Sequence, residues 1–432
     1  MNELNRELLE FIHASPTAFH AAANIEETLQ KAGFTRLCEG HDWDIRLPGK
    51  YYAARNGSSV IALDLPESVD GFLLMAAHAD SPSFRLREKP EIENADGYVQ
   101  LSVEKYGGML CSPWMDRPLG VAGRVLVRAN GCAVTKLVHL DRDLLLIPNV
   151  AIHMDRSAND GKALNANVDM LPLFALKGEK ARIDTLLAAE LGCAEEDILS
   201  RELNLCLRER GCVWGPEEEF VSAPRLDDLQ CVFACLKAFL QPKTLKKGAV
   251  FCAIDSEEVG SKTRQGADSS FLDDVLGRVC EALGKSPAQY RAVLANSFMV
   301  SADNAHAVHP NHPEYADKVD RPVLNGGVVI KYNANQRYIT DAVSAAVFGE
   351  ICRRAEVPVQ RYTNRPDIHG GVTMGNISLA HVSVRMLDVG LAQLAMHSSY
   401  ETAGARDTEH LVRAAAAFYG SSCSPTDSGI EI

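Results

Sequence analysis

The sequence predicts an α/β protein in which helices flank a sheet and a separately folded, mainly β segment interrupts the chain. Short apolar stretches of strand length alternate with segments whose apolar residues recur every three or four positions. Another long segment instead contains strand-like stretches separated by Gly and Pro turns. The chain has 432 residues, which is long for one ordinary core and favours two domains or one large domain with an insertion.

The first strand-like stretch ends in polar residues. It reads "GFLLMAAHADSPSFRLR" from Gly71, with an apolar run that ends at Ala77 and is followed by His78 and Asp80. Ser81 and Pro82 then predict a turn. His78 is therefore expected at the end of a strand.

Two aspartates precede a predicted helix in "APRLDDLQCVFACLKAFL". The apolar residues that follow Asp228 recur at helical spacing and form one buried face. Either aspartate could cap this helix, but capping does not account for both Asp227 and Asp228.

Acidic residues also follow a second buried strand, in "VFCAIDSEEVGS" from Val250 to Ser261. The continuous apolar run at 249–254 is typical of a strand covered on both faces. Neighbouring residues that leave a strand point in different directions, so Glu258 could bind a ligand while Glu257 does chemistry beside it. The alternative is a solvated acidic turn.

Two later segments repeat this arrangement. In "NSFMVSADNAHAVHP" an apolar stretch leads to Asp303, His306 and His309, and "DVGLAQLAMHSSYE" leads to His397. In open α/β sheets, sites gather beyond the carboxyl ends of the strands. We therefore expect these strand ends to meet at one site.

The interrupting segment is predicted to span residues 86–220, which leaves 1–85 and 221–432 as a discontinuous main domain. The segment contains strand-like stretches such as "GRVLVRA" and "TKLVHL" and a helical part near 182–192. The tail from Gly420 is expected to be mobile.

Composition excludes several classes of function. A formal net charge of -13 and the lack of a basic run argue against nucleic-acid binding. No apolar run approaches the roughly 20 residues of a membrane span, and the acidic start "MNELNRELLE" lacks a signal peptide's basic region. Twelve cysteines without a CxxC pair favour reduced thiols. The sequence therefore predicts a cytoplasmic protein.

Together, the strand ends and the helix start supply two imidazoles and three carboxylates: His78, Asp227, Glu258, Asp303 and His397. Nitrogen and oxygen donors without thiolates suit zinc in a hydrolytic site, with cobalt or manganese as alternatives. Five ligands exceed what one catalytic metal uses and fit two metals bridged by a carboxylate. Asp80 lies where its carboxylate could accept the second ring N–H of His78.

These motifs also carry a family resemblance. "HADSP", "RLDD", "DSEEVGS", "SADNAHAVHPN", "IKYNANQRY" and "AMHSSYE" resemble, in order and along nearly the whole chain, the aspartyl aminopeptidase family of dinuclear zinc exopeptidases. The opening "SPTAFHAAA" is also similar. The resemblance implies a mixed sheet flanked by helices, as in zinc exopeptidases, with a mainly β dimerisation domain inserted at 86–220. It also implies a homo-oligomer, a closed tetrahedral dodecamer.

The resemblance assigns roles to the candidate residues. Asp227 is expected to bridge two divalent metals, His78 and Asp303 to complete one metal site, and Glu258 and His397 to complete the other. Glu257 is expected to be the general base that deprotonates a water activated by both metals. The expected reaction is hydrolysis of the first peptide bond.

Substrate choice follows from the resemblance as well. It implies a preference for amino-terminal Asp or Glu, with Lys331 meeting the substrate's side-chain carboxylate. His306 could donate a hydrogen bond to the substrate. "IPNVAIHMDR" resembles a segment whose histidine, here His153, enters the active site of a neighbouring subunit. From the residues alone, Lys331 could equally be a solvated lysine and His153 a buried strand residue.

The chain departs from the family pattern beside two ligands. Asp228 stands where the family usually has Asn, and in related peptidases the bond before this residue is cis, so its conformation here is left open. "HADSP" replaces the usual "HTDSP". His369, in "DIHGGVTMG", is expected to be structural. Two other functions remain possible: a related zinc deacetylase or carboxypeptidase, and a non-catalytic oligomeric scaffold.

Overall fold

The computed structural model describes residues 2–178, 182–368, 370–371, 373–378, 380–426 and 429–432. His369 lies outside these residues. The described helices are α1 (Glu3–Ala14), α2 (Ala18–Lys31), α3 (Ile183–Leu191), α4 (Leu226–Leu240), α5 (Phe271–Ala282), α6 (Pro287–Ala295), α7 (Ala342–Arg354), α8 (Met374–Ser378) and α9 (Asp407–Tyr419).

The described strands run from β1 to β21. Their bounds are β1 (Thr35–Arg36), β2 (Gly49–Arg55), β3 (Ser59–Leu65), β4 (Phe72–His78), β5 (Ser83–Glu93), β6 (Tyr98–Tyr106), β7 (Leu119–Ala129), β8 (Cys132–Leu145), β9 (Leu173–Leu176), β10 (Ile198–Leu207), β11 (Cys212–Trp214), β12 (Phe220–Ala223), β13 (Gly248–Ile254), β14 (Phe298–Ala302), β15 (Ala305–His306), β16 (Val328–Tyr332), β17 (Val359–Thr363), β18 (Arg385–Leu394), β19 (Glu401–Gly404), β20 (Ser424–Thr426) and β21 (Gly429–Glu431).

Thirteen of the described strands form one large mixed sheet. Its path is β1-β2-β3-β13-β4-β14-β18-β19-β12-β11, and β15 and β16 also pair with β18, while β17 pairs with β16. The central strands β13, β4, β14 and β18 are mutually parallel, whereas β3 and β19 run antiparallel to their neighbours. The prediction of an α/β fold with a mixed sheet is therefore confirmed.

Both faces of this sheet are covered. In β13, Phe251 and Ala253 face a core that includes α4, α7 and α9, whereas Val250 and Cys252 face a core that includes α5 and α6. Successive side chains in a strand point to opposite faces, so each residue of β13 is buried against one core or the other. This explains the continuous apolar run before the acidic residues.

The chain between β4 and β11 forms a second, antiparallel sheet. Six strands pair in the order β8-β7-β10-β5-β6-β9 and, with α3, enclose a separate apolar core. This sheet begins at Ser83 and ends at Leu207, while β11 and β12 belong to the large sheet. The division at 86 and 220 into two folding domains, and the dimerisation role of the insertion, stay predictions.

The described parts of the carboxyl-terminal tail, 420–426 and 429–432, pack against the main domain, contrary to the expected mobility. Cys423 is buried, its carbonyl accepts a bond of 3.2 Å from Lys247 Nζ, and β20 and β21 pair beyond it. All twelve cysteines are free thiols, in keeping with the predicted reduced state. Among the described helices, none has the length and apolar character needed to cross a bilayer.

Candidate metal centre

The carboxyl ends of the parallel strands meet at one edge of the large sheet. His78 is the last residue of β4 and pairs with Ile254, the last residue of β13. Two residues separate the end of β13 from Glu257 and Glu258, and Asp303 follows β14 directly. Since β18 is parallel to β14, the segment after it brings His397 to the same edge. The apolar strands thus deliver the predicted residues to one place.

Asp227 reaches this edge from the start of α4. Asp227 and Asp228 have non-helical backbone angles. The peptide bond between them is cis, as in the related peptidases, although Asp228 replaces the usual Asn. Asp228 is fully buried, and its Oδ2 accepts a bond of 3.2 Å from the main-chain N–H of His78. An asparagine oxygen could accept the same bond, so Asp228 preserves this link to β4.

The donor atoms of the predicted ligands lie close together. One group contains His78, Asp227 and Asp303, and another contains Asp227, Glu258 and His397. In each group the donor atoms, one from each residue, all lie within 4.8 Å of one another. Asp227 belongs to both groups. A third group joins His78 to Glu257 and Glu258, so proximity alone does not separate the predicted base from the ligands.

Direct contacts connect these groups. His397 Nε2 lies 3.2 Å from Asp227 Oδ2 and 3.3 Å from Glu258 Oε1, and His78 Nε2 lies 3.7 Å from Asp227 Oδ1. Asp227 Oδ1 and Glu258 Oε1 are buried and accept no hydrogen bond from the described residues. Buried carboxylate oxygens are normally satisfied. Two oxygens facing imidazole nitrogens therefore fit the coordination of a divalent cation.

The pKa values at the site follow from burial and proximity. Burial opposes ionisation of Asp227, but the neighbouring imidazoles of His397 and His78 outweigh it and hold the pKa of Asp227 below its ordinary value. Burial lowers the pKa of His397, but Asp227 and Glu258 outweigh it and raise that pKa to about 11. These imidazoles are thus held in a strongly negative environment.

The pKa values of the two glutamates are raised, in contrast to that of Asp227. Burial raises the pKa of Glu257 to about 8, and Asp303 and Glu258 add to the rise. Burial likewise raises the pKa of Glu258 to about 7, although His397 opposes it. The cluster therefore holds more carboxylates than its own cations can neutralise. A bound metal ion would supply the missing positive charge.

Asp80 contacts His78 mainly through its main chain. His78 Nδ1 lies 3.0 Å from the carbonyl oxygen of Asp80 and 3.6 Å from the carboxylate Oδ1. A carbonyl acceptor fixes the ring tautomer as a carboxylate would. The Asp80 carboxylate instead accepts the main-chain N–H groups of Glu257 and Glu258, at 3.1 and 3.2 Å.

Glu401, at the start of β19, is a site residue that the sequence reasoning missed. It is 1% exposed, and its carboxylate accepts the main-chain N–H groups of Asp227 at 2.9 Å and His397 at 2.7 Å. Its sequence signal is its place in "AMHSSYE", four residues after His397. Glu401 therefore joins two segments that carry ligands.

Backbone strain is concentrated beside the ligands. Ser256, directly before Glu257, has φ 70°, and His397 has φ 65°. Both angles lie in the left-handed region, which residues other than glycine rarely adopt. Residues held in such conformations cost about 1–3 kcal/mol each and cluster at functional sites. The fold therefore holds both residues in place against a local preference.

A cleft of about 270 Å³ opens beside the cluster and is lined by Glu257, His306, Lys331 and Tyr338 among others. Lys331 is only 3% exposed, and its Nζ lies 3.1 Å from Asp303 Oδ1 and 5.4 Å from the Tyr338 ring centroid. The alternative of a solvated lysine is therefore wrong. Burial lowers the pKa of Lys331, but Asp303 outweighs it and raises that pKa.

His306 and His153 occupy different surroundings. His306 lies in β15 on the wall of the cleft, 6.0 Å from the Tyr362 ring. His153 is exposed in the segment between β8 and β9, so the alternative of a buried strand residue is wrong. Its neighbours Ile152 and Met154 are also exposed. His153 does not line the cleft of its own chain.

Comparisons with known proteins place the chain among aminopeptidases. The family model described as "Aminopeptidase I zinc metalloprotease (M18)" matches residues 11–419. A probable M18 family aminopeptidase 2 from Clostridium acetobutylicum is 41% identical over 426 residues, with 96% of this chain and 98% of the relative covered.

Two solved structures are similar along nearly the whole chain. One chain of the Ape4 and Nbr1 complex is 37% identical, with TM-score 0.92 and coverage of 96% of this chain and 85% of that one. The mApe1 dodecamer of S. cerevisiae is 28% identical, with TM-score 0.85 and 96% of both chains covered.

Proposed function

The chain belongs to the M18 family of zinc aminopeptidases, and we propose that it removes amino-terminal Asp or Glu residues from peptides, with two metal ions and with Glu257 as general base. The family supports the coarser function of a zinc-dependent metalloaminopeptidase. The substrate preference, the number of metals and the identity of the base are proposals. The residues of the site support each of them in turn.

The observation that carries the proposal is the pair of donor groups that share Asp227. His78 and Asp303 would hold one metal with Asp227, and Glu258 and His397 would hold the other. Zinc is the proposed metal, with cobalt or manganese as alternatives. When bound, the two ions lower the pKa of a water molecule and polarise the scissile carbonyl.

Glu257 is the proposed proton carrier. It lines the cleft, its main-chain N–H is fixed by Asp80, and Glu258 beside it takes the ligand role. In the proposed reaction its carboxylate accepts a proton from the attacking water and delivers it to the nitrogen of the departing amine. Asp80 contributes by holding the turn that carries both glutamates.

Lys331 is the proposed source of the acidic preference. Its ammonium group is buried in the cleft wall next to Asp303, where a substrate carboxylate would meet a cation that water screens little. The net charge of -13 gives no long-range attraction for acidic peptides, so the preference must come from local charge. His306, on the same wall, is proposed to donate a hydrogen bond to the substrate.

The proposed assembly is a cytoplasmic homo-oligomer, a dodecamer by its resemblance to the S. cerevisiae relative. Val150, Ile152 and Met154 expose large apolar side chains around His153. Exposed apolar groups of this kind favour burial at an interface. His153 would then reach the active site of a neighbouring subunit and take part in substrate binding there.

A panel of substrates tests the proposed function. We expect the zinc-loaded protein to release aniline from aspartyl and glutamyl anilides faster than from leucyl anilide, and metal analysis to find two ions per chain. Preferential cleavage of acetylated or carboxy-terminal substrates would instead identify a deacetylase or carboxypeptidase. Bound metal without hydrolysis of any substrate would indicate a scaffold.

A further inference from the structure

A segment that leaves the six-stranded sheet contacts the metal centre at three points. The Tyr106 hydroxyl, at the end of β6, donates a bond of 2.7 Å to Asp80 Oδ2. Leu110 N–H donates to the carbonyl oxygen of His397 at 3.0 Å. Gly107 lies so close to Glu258 that an added Cβ would stand 3.2 Å from Glu258 Cβ. The segment therefore touches parts of the large sheet that carry proposed ligands.

The contact of Tyr106 reaches the two glutamates through one carboxylate. Asp80 is 4% exposed and accepts three bonds: the Tyr106 hydroxyl and the main-chain N–H groups of Glu257 and Glu258. The hydroxyl bond is the shortest of the three and falls in the range of charge-assisted O–H···O⁻ bonds. The hydroxyl therefore shares with the two main-chain N–H groups in fixing the orientation of the Asp80 carboxylate.

Tyr106 is itself held by the six-stranded sheet. The Arg85 guanidinium, on the neighbouring strand β5, lies 4.8 Å from the centroid of the Tyr106 ring. Arg85 Nε donates to Asn204 Oδ1 at 3.3 Å, and Asn204 belongs to β10. Burial and the nearby Asp80 and Asp255 raise the pKa of Tyr106, so its hydroxyl keeps the proton that it donates.

We propose that Tyr106 is a positioning residue of the metal centre, which acts through Asp80 to fix the turn that carries Glu257 and Glu258. The inference deepens the proposed function, since it relies on the roles proposed there for the two glutamates. It assigns a catalytic purpose to the six-stranded sheet: this sheet sets the geometry of a site that is built mainly by the other one.

The variant Tyr106→Phe tests this directly. Phenylalanine keeps the ring and its contact with Arg85 and removes only the hydroxyl. Loss of a partner that orients a ligand typically lowers metal affinity or activity by about 10- to 100-fold. We expect zinc affinity, measured by chelator competition, and kcat each to fall about tenfold, with KM within about twofold of wild type.

Tyr290→Phe provides a matched control. The Tyr290 hydroxyl donates a bond of the same length, 2.7 Å, to Asp273 Oδ1 in the α5–α6 region, which contributes no residue to the site. We expect this variant to keep wild-type zinc affinity and kcat. Equal losses in both tyrosine variants would overturn the proposal, because a general loss of stability would then account for them.

A double-mutant cycle identifies the route through Asp80. In an Asp80→Ala background, Tyr106→Phe should change zinc affinity by less than about twofold, because the acceptor is already gone. Additive losses would overturn the route, and wild-type zinc affinity and kcat in Tyr106→Phe would overturn the proposal. If wild type cleaves no peptide while the zinc affinity of Tyr106→Phe still falls, the proposed function fails and the positioning role stands.

Discussion

Replacement of Glu401 by alanine should loosen two ligand segments at once. The Glu401 carboxylate accepts the main-chain N–H groups of Asp227 and His397. Alanine offers no acceptor, so both N–H groups would lose their partner. Glutamine keeps one oxygen and would lose one of the two bonds. The two variants therefore form a graded pair.

The expected magnitude follows from the number of bonds and their burial. A buried donor left without a partner costs about 1–3 kcal/mol, which corresponds to a rise of about 5- to 150-fold in the local opening equilibrium. The bond to Asp227 is buried, whereas the bond to His397 is partly buried. Water can replace a partner more easily where the bond is less buried. The effect of alanine should therefore be larger at Asp227 than at His397.

Hydrogen–deuterium exchange with mass spectrometry measures these openings. Overlapping peptides that cover Asp227 and His397 should exchange faster in Glu401→Ala than in wild type, and Glu401→Gln should be intermediate. Thr402→Ala is a control on the same strand, since the Thr402 hydroxyl bonds Ser222 at 2.8 Å and no ligand segment. Wild-type exchange at both ligand segments in Glu401→Ala would show that Glu401 does not hold them in place.

Other predictions address the base, the substrate pocket, the interface and pH. Glu257→Gln should keep both metals while kcat falls about 10²- to 10⁴-fold, the usual contribution of a general base; activity near wild type with metal bound would exclude Glu257 as the base. Lys331→Met should weaken cleavage of acidic anilides more than of neutral ones, whereas an equal loss for both would remove its specificity role. His153→Ala should lower activity without changing metal content or the assembly seen by light scattering, and full activity in dissociated protomers would contradict a role in a neighbouring site. Burial lowers the pKa of His20 from 6.5 to about 4, so His20 should lower the free energy of unfolding by up to about 3 kcal/mol as pH falls from 6.5 to 4 and should have no effect above pH 6.5. In urea unfolding, the free energy of unfolding of His20→Gln should fall less steeply with pH in this window, and the same pH dependence as wild type would contradict the prediction.

The sequence predicted the parts of the site that depend on local pattern. Continuous apolar runs marked the buried strands that lead to His78 and Glu257, because strands covered on both faces leave no polar alternation. The parallel arrangement of those strands then explains why their ends meet. The helix after Asp228 was also evident from its spacing.

The supporting residues could not be found in this way. Tyr106 lies in a stretch with no unusual pattern. Glu401 lies in "AMHSSYE", but nothing there shows that it also acts on Asp227, which is distant in the chain. Their roles depend on tertiary contacts between the two sheets and between β19 and α4. A single sequence contains no signal for such contacts. The packed tail was missed for the same reason, since Cys423 is buried by residues of the main domain.

The pairing of β5 with β10 has a consequence for how the chain folds. β4 and β13 pair along their whole length, but the entire six-stranded sheet lies between them in the chain. Such distant pairing is slow, because loop closure costs entropy before any contact compensates for it. In the six-stranded sheet, Arg85 lies opposite Asn204, so its first and last strands are adjacent. Once this sheet has formed, the chain returns near its point of departure, and β13 has a much shorter effective distance to close onto β4.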